Sequence, residues 1–306
     1  MQTITNQILE QLSTIVLGKE RQVKLALACL LAKGHLLIED LPGMGKTTLS
    51  LALAKALGLS FNRIQFTSDL LPADILGVSI FKQSESCFEF HPGPIFSHVV
   101  LADEINRATP KTQSALLEAM AENQVTVEGE TRPLLHPFFV IATQNPITQG
   151  GTYPLPESQL DRFSMCISLG YPHPEAEREL LKGNDPRIKI EHIEPCIEPC
   201  QLIPIQEQVL SVSASETLLD YVQRLIAYSR ETAEFAYGLS PRAAIALMQC
   251  SQAWAFIEGR NYVLPEDVQA VLPSVVEHRL REASDYAGHG GGALADRMLS
   301  NVNVVA

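Results

Sequence analysis

The sequence has no long apolar run and few basic residues, and both shortages narrow its function. No stretch approaches the roughly 20 consecutive apolar residues of a membrane helix. Residues 1–10 lack the basic start and apolar centre of a secretion signal, so we expect a cytoplasmic protein. Lys and Arg number 23 against 35 Asp and Glu, a net charge of -12. Because nucleic-acid affinity depends largely on cations that displace counterions, we expect no nucleic-acid partner.

Cysteine is also sparse, and its six copies are too scattered to suggest a disulfide framework. Cys196 and Cys200 lie in a short duplication, IEPCIEPC, and His192 adds one more nearby ligand candidate. A zinc site needs four ligands, so we interpret the duplication as a proline-stiffened linker. Whether these two cysteines matter to function stays open.

The first half of the chain alternates short apolar runs with helical patterns, which is typical of an α/β fold with a parallel sheet flanked by helices. The candidate strands are residues 36–38, 61–66, 99–102, 138–142 and 166–169. Segments 76–93 and 123–137 each contain two alternating runs around a polar turn, which predicts hairpin insertions in this core. The sequence leaves open whether the hairpins carry function or cover an edge.

Beyond residue 171 the strand signals stop, and helical patterns run over 215–234, 240–259 and 265–281. Ser240 followed by Pro241 is typical of a helix start, with serine as the N-cap. We therefore predict a nucleotide-binding αβα core over residues 1–170 and an all-helical domain over 171–306. Their joint falls within 170–211, where prolines cluster.

The string LLIEDLPGMGKTT, residues 36–48, places an apolar strand, a glycine turn and a helix start in succession. Backbone N–H groups and a helix N-terminus then converge on one point, which favours phosphate. Lys46 supplies a cation for the β and γ phosphates, and Thr47 supplies a hydroxyl for Mg²⁺. Asp40 stands where the first glycine of the usual phosphate loop belongs, so the match is partial. The candidate nucleotide contacts are Gly43, Met44, Gly45, Lys46, Thr47 and Thr48.

Two acidic residues bear on whether a bound phosphate is also cleaved. Asp103 and Glu104 end an apolar strand, where buried acids are costly unless a cation meets them. Asp103 is a candidate Mg²⁺ ligand, and Glu104 is a candidate for orienting or deprotonating the attacking water. Asn145 follows another apolar strand, where it either bonds the water or the γ-phosphate or simply starts a turn.

Two arginines are candidates for contacting the γ-phosphate. Arg242 lies in the first turn of its helix, where the macrodipole disfavours a cation by about 0.3 to 1 kcal/mol. It is either an exposed arginine that tolerates this cost or the partner of an anion. Arg162 follows Asp161 and either pairs with it at the surface or serves as an arginine finger for a neighbouring subunit.

These strings together resemble the MoxR family of AAA+ ATPases. Residues 36–48 look like its Walker A region, 99–129 its Walker B region with the following helix and hairpin, and 140–163 its sensor 1 and arginine-finger region. Residues 238–268 look like its sensor 2 helix and lid domain. The resemblance runs from about residue 18 to 281 and is weakest over 183–211 and the last twenty or so residues.

The resemblance implies roles for the residues named above. It places Lys46 and Thr47 on phosphate and metal, and residues 15–20 in the adenine pocket. Asp103 takes Mg²⁺ and Glu104 takes water, while Asn145 becomes sensor 1, Arg162 the finger supplied in trans, and Arg242 sensor 2. ATP or ADP with Mg²⁺ are the implied ligands. Family members are thought to form hexameric rings and to remodel, assemble or activate protein partners, often with a protein that carries a von Willebrand factor A domain.

Two other functions stay open at this stage. One is a nucleotide-gated binding switch with little turnover; the N-K-x-D string of typical GTPases is absent, which disfavours guanine, and Glu104 disfavours lost turnover. The other is the motor subunit of a complex like the metal chelatases, which resemble this family. The sequence does not identify the client, the partner, the ring size, the role of the hairpins or the function of residues 287–306.

Overall fold

The computed structural model describes residues 2–145, 152–183, 186–283 and 294–305. Its strands are β1 (Leu36–Glu39), β2 (Phe61–Gln65), β3 (Gly77–Lys82), β4 (Cys87–Pro92), β5 (Val99–Asp103), β6 (Gln124–Val127), β7 (Glu130–Pro133), β8 (Phe139–Gln144) and β9 (Met165–Ile167). Its α-helices are α1 (Gln2–Ser13), α2 (Glu20–Leu31), α3 (Lys46–Ala56), α4 (Pro72–Leu76), α5 (Pro110–Glu122), α6 (Glu157–Leu160), α7 (Pro174–Leu181), α8 (Pro186–Glu191), α9 (Pro199–Leu210), α10 (Glu216–Glu231), α11 (Pro241–Ile257), α12 (Pro265–Val276) and α13 (Leu294–Asn301).

A five-stranded parallel sheet forms the centre of the core, in the order β2-β5-β8-β1-β9. All five predicted strands are confirmed. Successive residues of β5 enter different apolar clusters: Val99 and Leu101 join the one that includes α2 and α3, whereas Val100 and Ala102 join the one that includes α5. Because both faces of the sheet are covered, the inner strands β5, β8 and β1 are largely continuous apolar runs, whereas the outer strand β2 has exposed polar residues.

Two antiparallel hairpins interrupt the core, as predicted. Strands β3 and β4 pair with Phe81 opposite Phe88, and β6 pairs with β7 with Val127 opposite Glu130. The second turn consists of Glu128 and Gly129, whose φ angles are 55° and 84°. Positive φ at both turn residues matches the twist of a two-residue hairpin.

The C-terminal part is helical in its described residues, which confirms the prediction of an all-helical lid. Ser240 caps α11 and accepts a hydrogen bond from Ala243 N at 3.0 Å, also as predicted. Helix α12 is shorter than predicted, because it ends at Val276 and not at residue 281. The chain turns there and brings His278 and Arg279 to the backbone carbonyls that precede β9. None of the described helices has the length and apolarity needed to cross a membrane.

The segment predicted to contain the domain joint is also largely helical. Residues 193–198, most of the duplication interpreted as a linker, connect α8 to α9 without regular secondary structure and pack on the core. Cys196 N donates to Ala56 O at 2.8 Å, and Cys200 lies in the first turn of α9. Gln206 of α9 donates to Leu30 O at 2.8 Å, and Leu202 beside it is fully buried. Across the described ranges, no cluster of His, Cys, Asp and Glu is suited to a metal ion. The exact division of the chain at residue 170 stays a prediction.

Candidate active site

The carboxyl ends of β1, β5 and β8 meet the N-terminus of α3 at one edge of the sheet. A cleft of about 280 Å³ lies there. It brings together most of the predicted phosphate, metal and water-activating residues. Its lining is Pro42, Gly43, Gly45, Lys46, Thr47, Thr48, Arg63, Asp103, Glu104 and Asn145.

The loop before α3 has the shape of a phosphate cradle. Gly43 and Gly45 have φ angles of 85° and 89°, a backbone conformation that residues other than glycine rarely adopt. A Cβ added at either glycine meets no atom within 4 Å, so the space in front of the loop is open. Gly45 is the N-cap of α3 and offers no side-chain cap to the first-turn N–H groups. These features fit a phosphate group.

Lys46 is buried next to this loop, with 8% of its surface exposed. Its Nζ donates to the backbone oxygen of Asp40 at 2.6 Å and to Asn145 Oδ1 at 3.3 Å. The pKa of Lys46 is lowered, because the effect of burial outweighs that of the carboxylates of Asp40, Asp103 and Glu104, which raise it. Lys46 forms no ion pair within the described residues, so a phosphate would give this ammonium a direct anionic partner.

Asp103 has both carboxylate oxygens engaged by neighbouring strands. Thr143 Oγ1 on β8 donates to Oδ1 at 2.6 Å, and Arg63 on β2 approaches Oδ2 at 2.6 Å. The Thr47 hydroxyl has no hydrogen-bond partner within the described ranges. A hydroxyl and a carboxylate at the mouth of one cleft form a donor set suited to Mg²⁺.

Glu104 stands beside Asp103 in a left-handed backbone conformation, with φ 55° and ψ 48°. Such a conformation costs a non-glycine residue on the order of 1 kcal/mol and is concentrated at functional sites. Asn145 Nδ2 donates to Glu104 Oε1 at 3.1 Å, and Gln65 Nε2 donates to Oε2 at the same distance. Arg107 adds an ion pair at 3.0 Å. The carboxylate is thus held in one orientation at the cleft.

Asn106 supports the predicted sensor residue and was missed by sequence reasoning. Its Nδ2 donates to the backbone oxygen of Asn145 at 3.2 Å, and its own backbone oxygen accepts from Tyr153 N at 2.6 Å. It therefore ties together both sides of the segment that follows β8. Asn106 is 1% exposed, and its Oδ1 has no partner within the described ranges. A polar residue two positions after the paired acids was the available signal.

Asp40, which weakened the motif match, has a structural role that the sequence did not indicate. Its carboxylate accepts hydrogen bonds from the backbone N–H groups of Leu169 and Gly170 at 2.7 and 2.6 Å. It also accepts from its neighbour Leu41 N at 2.8 Å. The aspartate therefore fastens the start of the phosphate loop to the chain that leaves β9.

A second cleft, of about 220 Å³, adjoins the first and shares Gly43, Gly45 and Thr48 with it. Ile15, Val16 and Leu17 line its apolar side, together with Met44. This is where the resemblance places the adenine base, and an apolar slot beside a phosphate cradle fits that ligand. Part of the segment 15–20 therefore lies next to the loop, as expected for this role.

The two predicted arginines do not line either cleft in the single chain. Arg162 donates from Nη1 to Leu117 O on α5, and its Nε is buried without a partner in the described structure. It does not pair with Asp161, whose carboxylate instead binds Ser240 and Arg279. Arg242 is exposed in the first turn of α11, where no described residue bonds it. The roles of both arginines stay predictions.

The fold and the cleft together define a phosphate-loop nucleotide-binding protein with a helical lid. Comparison with known families agrees. Residues 35–165 match the model described as the ATPase family associated with various cellular activities (AAA), and residues 227–295 match the AAA lid domain.

Individual relatives narrow this class. The chain is 45% identical to the Bacillus subtilis protein YeaC, over 98% of this chain and 95% of that protein. It is 40% identical to Chaperone MoxR1 of Mycobacterium tuberculosis, over 88% of this chain and 74% of that protein. The crystal structure of a proposed ATPase from Cytophaga hutchinsonii superimposes with a TM-score of 0.88 at 37% identity, covering 99% of this chain and 95% of that one. The chain belongs to the MoxR family of AAA+ ATPases.

Proposed function

We propose that this protein hydrolyses ATP and uses the cycle to remodel, assemble or activate protein partners. The observation that carries the proposal is the Lys46–Asn145–Glu104 chain of hydrogen bonds at the open mouth of the phosphate cradle. A cation for phosphate, a polar sensor and a carboxylate for water are thereby joined in one cleft. Membership of the MoxR family and the name of Chaperone MoxR1 support the same conclusion.

In this proposal the nucleotide lies across the two adjoining clefts. The N–H groups of residues 43–48 and the Lys46 ammonium bind the phosphates, and Thr47 and Asp103 hold Mg²⁺. The metal supplies positive charge to the phosphate oxygens. Glu104 orients the attacking water and accepts its proton, while Asn145 keeps that carboxylate directed at the cleft. A binding switch with little turnover is disfavoured, because the Glu104 carboxylate is held at the cleft by three neighbours.

The arginines extend the proposal to an assembly. Arg162 and Arg242 lie outside the clefts of the single chain. We therefore assign Arg162 to the γ-phosphate bound by a neighbouring subunit, and Arg242, which the lid carries, to the nucleotide bound by its own subunit. A ring, expected to be a hexamer, would supply the missing arginine to each site. We propose a cytoplasmic protein with protein clients and a partner that carries a von Willebrand factor A domain. The net charge of -12 disfavours nucleic acid.

Mixing two inactive variants tests this assignment. Lys46→Ala removes the phosphate cation but leaves Arg162 in place, and Arg162→Ala has the reverse defect. Each purified variant is expected to hydrolyse ATP very slowly, whereas a mixture is expected to regain a substantial part of the wild-type rate. Arg224→Ala is the control and should retain turnover, because this partly exposed arginine of α10 binds only backbone oxygens near the C-terminus in the described structure.

The outcomes separate the possible functions. Regained turnover would show that one subunit acts on the nucleotide of another. A silent mixture, with subunit exchange verified by a fluorescent label, would remove the trans assignment of Arg162. Tight ATP retention by the wild-type protein without phosphate release would favour the nucleotide-gated switch.

A further inference from the structure

The short turn that carries Arg162 is hydrogen-bonded to the lid of the same chain. Arg279, just beyond α12, donates from Nη2 to Phe163 O at 2.6 Å and from Nη1 to Ser164 O at 3.2 Å. His278 Nε2 lies 3.0 Å from the same Phe163 oxygen. The candidate finger Arg162 is thus followed directly by Phe163 and Ser164, whose backbone oxygens bond the lid. The lid therefore contacts this turn directly.

Asp161 joins this contact through its side chain. Arg279 Nε lies 2.9 Å from Asp161 Oδ1, and Arg279 is 8% exposed. Removing one partner of a buried ion pair leaves an uncompensated charge, which disfavours states in which the two separate. Burial lowers the pKa of Arg279, and the Asp161 carboxylate raises it. The pair therefore resists rearrangement at the domain boundary.

Ser240 completes the connection, since it touches both Asp161 and the helix that carries Arg242. Its Oγ lies 3.0 and 2.9 Å from the two carboxylate oxygens of Asp161, while it accepts from Ala243 N at 3.0 Å. The N-cap of α11 is thereby fastened to the residue that precedes Arg162. We call Asp161, Ser240 and Arg279 the lid clasp.

We propose that Asp161 is a positioning residue which couples the arginine finger of a subunit to that subunit's own lid through Ser240. Nucleotide contacts that turn α11 then move Asp161 and hence Arg162, which serves the next subunit. The inference rests on the proposed function, because it takes Arg162 as a finger in trans. It adds a route by which one site reports its nucleotide state to its neighbour.

A purely structural clasp would have a different consequence. It would stabilise the contact between lid and core. Weakening it would lower the stability of the protein but would not specifically reduce the activity that Arg162 gives to the neighbouring site. Ser215 provides the comparison, since it is the N-cap of α10 in the same lid and accepts from Leu218 N at 3.2 Å. It has no contact with Asp161 in the described structure. Ser215→Ala and Ser240→Ala each remove one helix cap, but only Ser240→Ala breaks the lid clasp.

The experiment uses mixed assemblies in which one subunit only donates its finger. The donor carries Glu104→Gln, so it keeps its nucleotide cradle but does not activate water. The acceptor carries Arg162→Ala, so its own site works only with the finger of a donor. ATP turnover of the mixture is measured with the parent donor, with a donor that also has Ser240→Ala, and with one that also has Ser215→Ala. Binding of a fluorescent ADP analogue to each donor is measured in parallel.

We expect Ser240→Ala in the donor to lower turnover of the mixture at least fivefold, with its nucleotide affinity unchanged, and Ser215→Ala to leave turnover close to that of the parent mixture. Equal turnover with the two serine variants would overturn the inferred coupling through the lid clasp but would leave the proposed ATPase activity unaffected. An inactive parent mixture would remove Arg162 as a finger and the inference with it. Asp161→Asn in the donor is a second variant, expected to lower turnover further; if thermal unfolding shows it misfolded, the serine pair decides.

Discussion

Polar side chains at the two ends of the central sheet have different kinds of hydrogen-bond partner. At the carboxyl ends, Lys46, Glu104 and Asn145 bond one another through their side chains. At the amino end of β1, His35 bonds only backbone: its Nδ1 accepts from Val140 N at 3.0 Å and its Nε2 lies 3.3 Å from Met120 O. The carboxyl edge therefore has side-chain partners that can exchange, in addition to the backbone bonds of Lys46 and Asp40, whereas the His35 side chain bonds backbone groups alone.

This difference separates function from structure among buried polar residues. Side-chain partners can rotate away when a ligand offers a better bond, so a network of them is compatible with a substrate. Backbone partners belong to strands and helices and do not leave without unfolding. His35 also stacks on Phe139, with ring centroids 6.3 Å apart, which fixes it further. We therefore expect changes at the carboxyl edge to alter activity and changes at the amino edge to alter stability.

Glu104→Gln should produce the largest effect. The amide keeps the shape of the side chain but cannot accept a proton, and a general base contributes typically 10²–10⁴-fold to a rate. We expect ATP turnover to fall by about that range, with nucleotide affinity retained. Phosphate release and binding of a fluorescent nucleotide analogue are the two measurements. Glu118→Gln, an exposed acid on α5, is the matched control and should retain full turnover. Wild-type turnover in the Glu104 variant would remove this residue from the mechanism.

His35 should dominate the pH dependence of the opposite edge. Burial lowers the pKa of His35 from 6.5 to about 4. Below pH 6.5 the unfolded chain takes up a proton that the folded chain refuses, so the free energy of unfolding falls as the pH drops towards 4. The full loss is about 3 kcal/mol, at 1.36 kcal/mol per pKa unit.

The comparison with His35→Gln isolates this contribution from those of His98 and His278, whose pKa values burial also lowers. Urea unfolding between pH 7 and pH 4 should show the variant less stable at pH 7 but less sensitive to acid. Parallel curves for the two proteins would contradict the assignment. Nucleotide affinity at pH 7 should differ little, which would distinguish the amino edge from the carboxyl edge.

The sequence predicted the carboxyl edge better than the amino edge, for a physical reason. Apolar runs that end in Asp103, Glu104 and Asn145 imply their own location, because the ends of parallel strands share an edge. His35 gives no such signal, since its partners are backbone groups distant in sequence. The lid clasp was missed likewise: Asp161 reaches Ser240 and Arg279 only through tertiary packing. Even the alternative of a surface pair between Asp161 and Arg162 rested on sequence adjacency, which the fold overrides.

Arg63→Gln should give the smallest effect and the sharpest view of the carboxyl edge. Arg63 donates from both Nε and Nη2 to Asp103 Oδ2, at 3.1 and 2.6 Å, and its side chain is 49% exposed. Removing this cation frees a carboxylate oxygen and removes a repulsive charge beside a divalent ion. The Mg²⁺ concentration for half-maximal nucleotide binding should therefore fall about twofold to fivefold, whereas Arg63→Lys, which keeps the charge, should stay near the wild type. A rise in that concentration would mean that Arg63 orients Asp103 for the metal and does not compete with it.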